Sequence, residues 1–376
     1  MNLISKIIFT IVLCASSFGR ANDTVQLRQV GFIESMAVDK NECILITSRI
    51  FDPAGAYAHA WLYRSCDLGT TWEQIAYVDI GAKKLHGTTH IRIDGIGRLY
   101  WFVMGRFGRT VVMVSEDGGK IWSDFDLSPG YINEVVIDSL GNIFVTAATL
   151  NNGSILTVSN DHGRTWTVIK SDDKGGSFQF GGLFSTKKGE VYLSERTNDF
   201  LYLLKTTDQG KTWEKKVVEE GSSFHSPMVF VDNNGRVYLT GSMFSGKGTY
   251  WLVKVSEDGG NTWKDSDKFT YKGNYRYNFP SLITSKSGNE PICIGNAGNS
   301  AGGPDNREVI TRIKRGDSWE LLDSYTPDLQ GQDENRPIES LVIGNKLLIL
   351  SVAGGEEDML FYLRRIDLIQ DSTDNL

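Results

Sequence analysis

One eight-residue motif, Ser/Thr-x-Asp-x-Gly-x-x-Trp, recurs five times along the chain. The copies occupy residues 65–72, 115–122, 159–166, 206–213 and 256–263. A sixth, degenerate copy keeps only Gly316 and Trp319, and successive tryptophans of the series are 50, 44, 47, 50 and 56 residues apart. Recurrence at this spacing indicates a fold built from similar units, each of which buries its apolar face against the next.

The residue types of the motif are those of a tight turn between two strands. An Asp side chain accepts backbone N–H groups within a turn, Gly adopts positive φ, and Ser or Thr fixes the start of the turn. Strand-forming residues flank the copies, such as residues 111–114 before the second copy. We therefore interpret the motif as a hairpin cap whose Trp packs over the hairpin, and its Asp as structural rather than catalytic.

A second pattern lies between the caps and consists of an apolar strand, a polar turn with Asp or Gly, and another apolar strand. Residues 135–145 and 229–239 are two examples of it. Seven such hairpins occur, near Met36, Ile91, Val135, Leu183, Val229, Leu282 and Leu341. Each is followed by a second hairpin, except that the last is followed by only one further strand, at residues 359–366.

The missing strand is available at the N-terminus, where residues 24–30 resemble the strand that follows each cap. Pairing this strand with the last unit would close a ring and remove an exposed sheet edge. The sequence thus predicts an all-β, seven-bladed β-propeller in which an N-terminal strand closes the last blade. A six-bladed propeller is the alternative, although it leaves one set of hairpins unused.

The first 21 residues have the layout of a cleaved secretory signal. Lys6 precedes the apolar run 7–13, which is too short to cross a bilayer as a helix, and small residues up to Ala21 follow. We expect a signal peptide at 1–21, a single propeller domain at 22–367 and a C-terminal tail at 368–376. No other stretch is apolar over 18 residues, so we expect a secreted or periplasmic protein without a membrane span.

Charge and cysteine content restrict the partners and the cofactors. The chain has 39 Lys and Arg against 46 Asp and Glu, and this acidic balance argues against nonspecific nucleic-acid binding.

Cys43 opens one predicted strand and Cys66 closes the next, so in an exported protein they can form a disulfide or remain free thiols. Cys293 is expected to be a buried thiol. No zinc spacing occurs, and we expect no metal, no cofactor and a monomer.

The five motif copies resemble the Asp-box, or BNR, repeat of sialidases and related β-propellers. The repeats and their hairpins cover almost the whole chain after the signal segment, so the resemblance is specific for the fold. It is less specific for activity, because Asp-box propellers include hydrolases, lyases, assembly factors and binding proteins. The resemblance implies a carbohydrate-active protein that cleaves a glycosidic bond, and a noncatalytic glycan- or protein-binding propeller is the alternative.

The sialidase catalytic residues are only partly matched. Sialidases hold the substrate carboxylate with three arginines, attack through a Tyr activated by Glu, and use an Asp as acid/base. The first of these arginines aligns with Ile33, and a later segment of similar shape carries Asn278. Arg49 resembles the second arginine, which makes Asp52 the counterpart of the acid/base, and Arg106 follows its strand in a similar way.

In a propeller, the innermost strands present their first residues to a central pocket. The candidates that this alignment gives for catalysis are Glu34, His90, Glu134, His225, Tyr277, Arg336 and Glu339. The candidates that it gives for substrate binding are His86, Tyr131, Gln179, Arg276 and Asn278, and the resemblance to sialidases adds Arg49, Asp52 and Arg106.

These residue types suit two chemistries on a glycan or polysaccharide. A lyase needs a cation at the substrate carboxylate, a base and an acid, and these roles match Arg336 or Arg276, His225 or His90, and Tyr277 or Tyr131. A hydrolase instead pairs two carboxyl groups, for which the candidates are Glu34, Glu134 and Glu339.

Overall fold

The computed structural model describes most of the chain, and all of its regular secondary structure in that part is β-strand. The described residues are 11–12, 23–27, 32–51, 58–79, 90–104, 110–127, 130–149, 153–172, 178–221, 224–246, 248–271, 277–298, 308–326, 335–354 and 360–368. Within these ranges, no helix has the length and hydropathy of a membrane span.

The described strands form seven antiparallel sheets, which are the blades of a propeller. Two strands precede the blades: β1 (Ile11–Val12) and β2 (Asp23–Leu27). Blade 1 is β3 (Phe32–Val38), β4 (Ile44–Phe51), β5 (Ala58–Ser65) and β6 (Thr71–Asp79). Blade 2 is β7 (His90–Ile93), β8 (Leu99–Met104), β9 (Thr110–Ser115) and β10 (Ser123–Leu127).

The next three blades follow in chain order. Blade 3 is β11 (Tyr131–Ile137), β12 (Ile143–Ala148), β13 (Ser154–Ser159) and β14 (Thr167–Ser171). Blade 4 is β15 (Gln179–Ser185), β16 (Val191–Arg196), β17 (Phe200–Thr206) and β18 (Glu214–Glu220). Blade 5 is β19 (Phe224–Val231), β20 (Val237–Ser245), β21 (Gly248–Ser256) and β22 (Lys264–Phe269).

The last two blades complete the ring. Blade 6 is β23 (Tyr277–Ser285), β24 (Pro291–Gly298), β25 (Glu308–Arg315) and β26 (Ser318–Tyr325). Blade 7 is β27 (Asn335–Ile343), β28 (Lys346–Ala353) and β29 (Leu360–Asp367), with β2 as its fourth strand.

The ring closes as the sequence predicts. Strand β2 pairs antiparallel with β29, with Val25 opposite Leu363, and the inner strand β27 of blade 7 contacts the inner strand β3 of blade 1. The seven-bladed count and the N-terminal closing strand are therefore confirmed, and the six-bladed alternative is wrong. Strand β1 adds a short fifth strand to the outer edge of blade 1, with Ile11 opposite Trp72.

The apolar core is divided among the interfaces between neighbouring blades. Seven clusters of buried side chains occur in the described residues, and each joins one blade to the next. Trp101 lies in the cluster between blades 1 and 2, and Trp251 in the cluster between blades 5 and 6, and both are almost completely buried. Because each blade buries its faces against its neighbours, the ring is stable only as a whole.

The five Asp-box turns share one hydrogen-bond network, which confirms their structural role. In the fourth copy, Thr206 Oγ1 donates to Asp208 Oδ1 over 2.9 Å, and Thr212 Oγ1 donates to Asp208 Oδ2 over 2.6 Å. The Trp213 indole N–H donates to the Gly210 carbonyl over 3.1 Å, and the same indole-to-glycine bond recurs in the other four copies. The Thr212 bonds lower the pKa of Asp208 to about 2, so the carboxylate stays ionised at neutral pH.

A disulfide joins Cys43 and Cys66 at the base of the β4–β5 hairpin, with their Cα atoms 4.2 Å apart. The expected pairing is thus confirmed, and Cys293 is the buried free thiol.

We expect the Cys43→Ser/Cys66→Ser variant to lose about 3 kcal/mol of unfolding free energy, because the disulfide restricts the unfolded chain. Urea unfolding measures the change. Reductant should shift the parent protein to the variant's midpoint and leave the variant unchanged, whereas equal midpoints without reductant would contradict the expectation.

Candidate functional site

The first residues of the inner strands gather at one face of the ring, which we call the mouth face. Antiparallel pairing places the start of each inner strand beside the end of the second strand of its blade. Phe32 lies opposite Arg49, and Gln179 lies opposite Arg196. The Asp-box turns join the third and fourth strands and lie at the other face, because successive strands alternate in direction. The mouth face is therefore the part of the scaffold that is free of the structural motif.

Bulges in the inner strands decide which side chains face the central channel. In β11 the pairing register shifts between Ile132 and Glu134, and β3, β15, β19, β23 and β27 carry comparable shifts near the mouth. In blade 4 the bulge contains Gly181, where a Cβ atom would clash with the backbone of Pro227 in blade 5. Bulges re-aim side chains and are frequent next to functional sites.

The residue that follows the bulge acts as a clamp between blades at three places. Ser35 Oγ accepts the backbone N–H of Ile91 in blade 2 over 3.2 Å. Glu339 Oε2 accepts the backbone N–H of Met36 over 2.7 Å, and Glu134 Oε2 accepts that of Leu183. These carboxylates therefore hold inner strands together.

Arg92 links the clamps across the channel. Its Nη1 contacts Glu339 Oε1 and Ser35 Oγ, both at 3.0 Å, and its Nε donates to the Val135 carbonyl over 2.8 Å. Blades 1, 2, 3 and 7 thus meet at this one guanidinium. Glu134 and Glu339, which the sequence predicts as catalytic candidates, thus both contact a neighbouring blade.

The carboxyl of Glu134 gives a test of the clamp. Loss of hydration raises its pKa to about 7 from 4.5. The native state thus holds a proton between pH 4.5 and 7 that the unfolded state has lost, so stability should fall as pH rises through this window. In the parent protein this loss of unfolding free energy is expected to reach about 3 kcal/mol. We expect it to be absent in the Glu134→Gln variant, whose amide oxygen still accepts the Leu183 N–H.

Unfolding free energies of the parent protein and the Glu134→Gln variant, measured at pH 5 and pH 8, check this expectation. The difference between the two proteins isolates Glu134 from other titrating groups. Parallel pH dependences for the two proteins would show that the carboxyl does not titrate in this window.

His90 occupies the clamp position of blade 2 and is 8% exposed. Burial, and secondarily the charge of Arg92, lower its pKa to about 3, so the ring is neutral at physiological pH. Its Nε2 atom has no hydrogen-bond partner among the described residues.

Arg196 and His225 form a pair at the mouth whose residue types suit acid–base catalysis on an anionic substrate. The Arg196 Nη1 atom lies 2.9 Å from His225 Nδ1, and the contact joins blade 4 to blade 5. Arginine only donates hydrogen bonds, so Nδ1 accepts and the neutral imidazole carries its proton on Nε2. Desolvation and then the charge of Arg196 lower the pKa of His225. The site therefore presents a neutral imidazole beside a permanent cation.

Aromatic and charged side chains surround this pair. Phe244 is 54% exposed, and its ring lies edge-on to His225 with the ring centroids 4.6 Å apart. Glu195, next to Arg196 in β16, is buried and forms ion pairs with Lys170 and Lys215. Because two lysines compensate Glu195, the guanidinium of Arg196 keeps its charge for other partners.

The remaining candidates fall into different places. Glu34 forms an ion pair with Arg49 within blade 1. Asn278 is fully buried, and its amide bonds the backbone of Tyr271 and Thr249, so it supports the strand rather than facing the channel. Three further candidates begin inner strands or lie one residue inside them: Tyr131, Gln179 and Arg336. Four candidates lie outside the described residues: Asp52, His86, Arg106 and Arg276. Tyr277 is described only by its backbone.

Arg196 is the residue that the sequence alignment of the inner strands misses, because it lies on a second strand. A signal for it exists, since Ile46-Thr47-Ser48-Arg49 in β4 aligns with Leu193-Ser194-Glu195-Arg196 in β16. Both arginines pair with the first residue of their inner strand. Comparing second strands with one another therefore identifies it.

Comparisons with known proteins agree with this architecture. The family model of the BNR repeat-like domain matches residues 133–292. No curated protein matches the sequence significantly. The polysaccharide lyase Uly1 has a similar structure, at 12% identity and a TM-score of 0.55, over 92% of this chain and 91% of that one.

An ulvan lyase of polysaccharide lyase family PL25 is also similar, at 10% identity and a TM-score of 0.61 over 91% of this chain and 96% of that one. Identities this low establish a likeness of fold. The chain is thus a seven-bladed Asp-box β-propeller that contains a BNR repeat-like domain and resembles polysaccharide lyases in its fold.

Proposed function

We propose that the protein is an exported enzyme that cleaves an acidic polysaccharide by β-elimination, with Arg196 and His225 at the reacting uronic acid. The observation that carries the proposal is the 2.9 Å contact of guanidinium and imidazole at the mouth. Elimination needs a cation at the substrate carboxylate and a neutral base for the proton on the adjacent carbon. The pair supplies both groups, and the fold shared with two polysaccharide lyases is in keeping with this chemistry.

The resting pair masks its own base. Nδ1 of His225 accepts an Arg196 N–H, so its lone pair is occupied before substrate arrives. A substrate carboxylate competes for the guanidinium, since charge-assisted, bidentate pairs are stronger than a hydrogen bond to a neutral ring. When the Arg196 guanidinium moves from His225 to the substrate carboxylate, the Nδ1 lone pair of His225 becomes free to act as the base. An acidic sugar is therefore needed both as ligand and as the trigger of reactivity.

The elimination step follows from these positions. Nδ1 takes the proton from the carbon next to the carboxylate, and the electron pair forms a C=C bond as the C–O bond to the leaving sugar breaks. Arg196 stabilises the negative charge that develops on the carboxylate oxygens. The leaving oxygen takes a proton from an acid, and no water is consumed. The products are a new sugar end and an unsaturated uronic acid.

For the acid we propose Tyr277. Strand β23 begins at this residue and neighbours β19, the strand of His225, in the ring. A phenol O–H can donate its proton to a leaving oxygen.

Carboxylates in structural contacts favour elimination over hydrolysis. Most retaining and inverting hydrolases other than sialidases use two carboxyl groups that flank the scissile bond. Glu134 and Glu339 accept backbone N–H groups of the next blade, and Glu34 pairs with Arg49. Export is supported by the Cys43–Cys66 disulfide, because disulfides persist in oxidising compartments.

The test is incubation of the protein with uronic-acid polysaccharides, sialosides and neutral glycans. We expect only the uronic-acid polymers to yield unsaturated products that absorb in the ultraviolet. A methyl-esterified polymer should react far more slowly, because an ester does not draw Arg196 away from His225. Saturated products would establish a hydrolase. Silence across the panel from folded protein would replace this proposal with a noncatalytic glycan-binding propeller.

A further inference from the structure

The inner strand that carries His225 changes its side-chain alternation next to that residue. Val229 and Val231 of β19 pack in the core cluster between blades 4 and 5. Regular alternation would place residue 225 on their face of the strand and residue 224 on the opposite face. Phe224 instead belongs to this cluster and is 1% exposed. The bulge between His225 and Met228 therefore shifts the alternation by one residue, which buries Phe224 and leaves the histidine outside the cluster.

Ser226, which lies in this bulge, has a strained backbone. Its φ is 50°, whereas the other non-glycine residues with positive φ in the described part of the chain lie in turns between strands. Non-glycine residues rarely adopt this region. The following Pro227 disfavours it further, because the residue before a proline is driven to extended backbone. Strained conformations of this kind persist only where the surrounding structure enforces them.

Blade 4 supplies the contacts that enforce the bulge. Ser194 of β16 is fully buried, and its Oγ donates to the Pro227 carbonyl over 2.9 Å. A Cβ atom on Gly181 would lie 2.4 Å from the same carbonyl oxygen. A Cβ atom on Gly182 would lie 2.7 Å from the Met228 Cα. The bulges of β15 and β19 thus fit backbone against backbone, and the Ser194 hydroxyl bonds the second of them to blade 4.

Ser194 also shares a strand face with the cation of the mouth pair. It precedes Arg196 by two residues in β16, so both side chains project from the same face of the strand, and both contact blade 5. One strand therefore carries the guanidinium that contacts His225 and the hydroxyl that fixes the backbone after His225.

We propose that Ser194 and Ser226 are positioning residues, which hold the β19 bulge and thereby keep the imidazole of His225 against its guanidinium partner. Ser194 acts through the Pro227 carbonyl. Ser226 acts through its backbone conformation, since its side chain is exposed. Any effect on elimination rests on the proposed function, whereas the contact between the two side chains of the pair does not.

Ser194→Ala tests the hydrogen bond. Without the hydroxyl the bulge can relax, and the imidazole then spends less time beside Arg196. Burial and the charge of Arg196 lower the pKa of His225 in the parent protein, so we expect this pKa to rise towards its ordinary value in the variant. NMR titration without substrate measures it. The kcat for elimination should fall about 10- to 100-fold, with little change in KM because Arg196 is still present.

Thr146→Val is the matched control. It removes a fully buried hydroxyl from the second strand of blade 3, and that hydroxyl has no hydrogen-bond partner among the described residues. The pKa of His225 and the kcat should both stay at their parent values.

Two substitutions of Ser226 separate its backbone conformation from its hydroxyl. Ser226→Val disfavours positive φ, so it should raise the pKa of His225 and lower kcat as Ser194→Ala does. Ser226→Gly tolerates positive φ. It should keep the parent pKa and kcat and unfold at a higher urea concentration, because the strain is removed. The exposed position means that neither substitution disturbs the core.

Four outcomes would overturn the proposal. They are a parent-like pKa of His225 in both Ser194→Ala and Ser226→Val, an equal shift in Thr146→Val, equal losses in Ser226→Gly and Ser226→Val, and a lower urea midpoint in Ser226→Gly. Thermal melts of each variant check that the fold is intact. If the parent protein released no unsaturated sugar, the lyase proposal would fail, while the pKa measurements would still decide the role of the two serines.

Discussion

Replacement of His225 by alanine is expected to lower kcat/KM for elimination by about 10²- to 10⁴-fold, the usual contribution of a positioned general base. In the described part of the mouth, the His225 imidazole is the ring that contacts the Arg196 guanidinium. Initial rates of ultraviolet absorbance on a uronic-acid polymer measure the effect. The loss should fall mainly on kcat, since the guanidinium still binds the substrate carboxylate.

The matched control for this variant is His162→Asn. His162 lies in an Asp-box turn at the opposite face and has a φ of 64°, a conformation that Asn also tolerates. Activity should be unchanged in this variant. If His225→Ala kept the parent rate, or if both variants lost it equally, His225 would not be the base.

Arg196→Met adds a readout that a purely structural role would not change. The charge of Arg196 contributes to the lowered pKa of His225, so its removal should let that pKa rise towards the ordinary value. NMR titration of the imidazole signals measures the shift. Elimination activity should also be lost, because nothing then neutralises the substrate carboxylate.

Removal of β2 is expected to have the largest effect on stability. Val25 and Leu27 are 7% and 4% exposed in the core between blades 7 and 1. Burial of two such side chains contributes about 3 to 6 kcal/mol, and the loss of β2 also leaves β29 as an exposed edge prone to association. We expect a chain that starts after Leu27 to unfold at much lower urea concentration and to aggregate.

Thr24→Ala is the control for the closing strand. Thr24 is exposed and accepts one hydrogen bond from Arg364 over 3.1 Å, so its loss should change stability by less than about 0.5 kcal/mol. If the truncated chain were as stable as the parent, the ring would not depend on its N-terminal strand.

The fold could be predicted from the sequence because its determinants are local and repeated. Each cap places Asp, Gly and Trp within eight residues, and in each complete copy the Trp indole N–H donates to the Gly carbonyl. Counting hairpins then left one strand missing, and β2 supplies it. The sequence placed Cys43 and Cys66 at the ends of neighbouring strands and left open whether they are bonded. The disulfide forms in a hairpin where Ile44 and Ser65 lie opposite each other.

The site was harder to predict because it depends on register between blades. One or two extra residues in each bulge decide whether a polar side chain reaches solvent or clamps the next blade. Glu134 and Glu339 have the residue type expected of a catalytic acid, yet their carboxylates bond the backbones of Leu183 and Met36. His225 was among the candidates, but its partner Arg196 comes from a different strand of a different blade.

Cleavage of a uronic-acid polymer in H₂¹⁸O, with the products read by mass spectrometry, tests the lyase proposal most directly. Elimination consumes no water, so we expect unsaturated ends without ¹⁸O at the cleavage site and loss of these products in His225→Ala. Saturated products that carry one ¹⁸O at the new end would show hydrolysis and would contradict the proposed role of the Arg196–His225 pair.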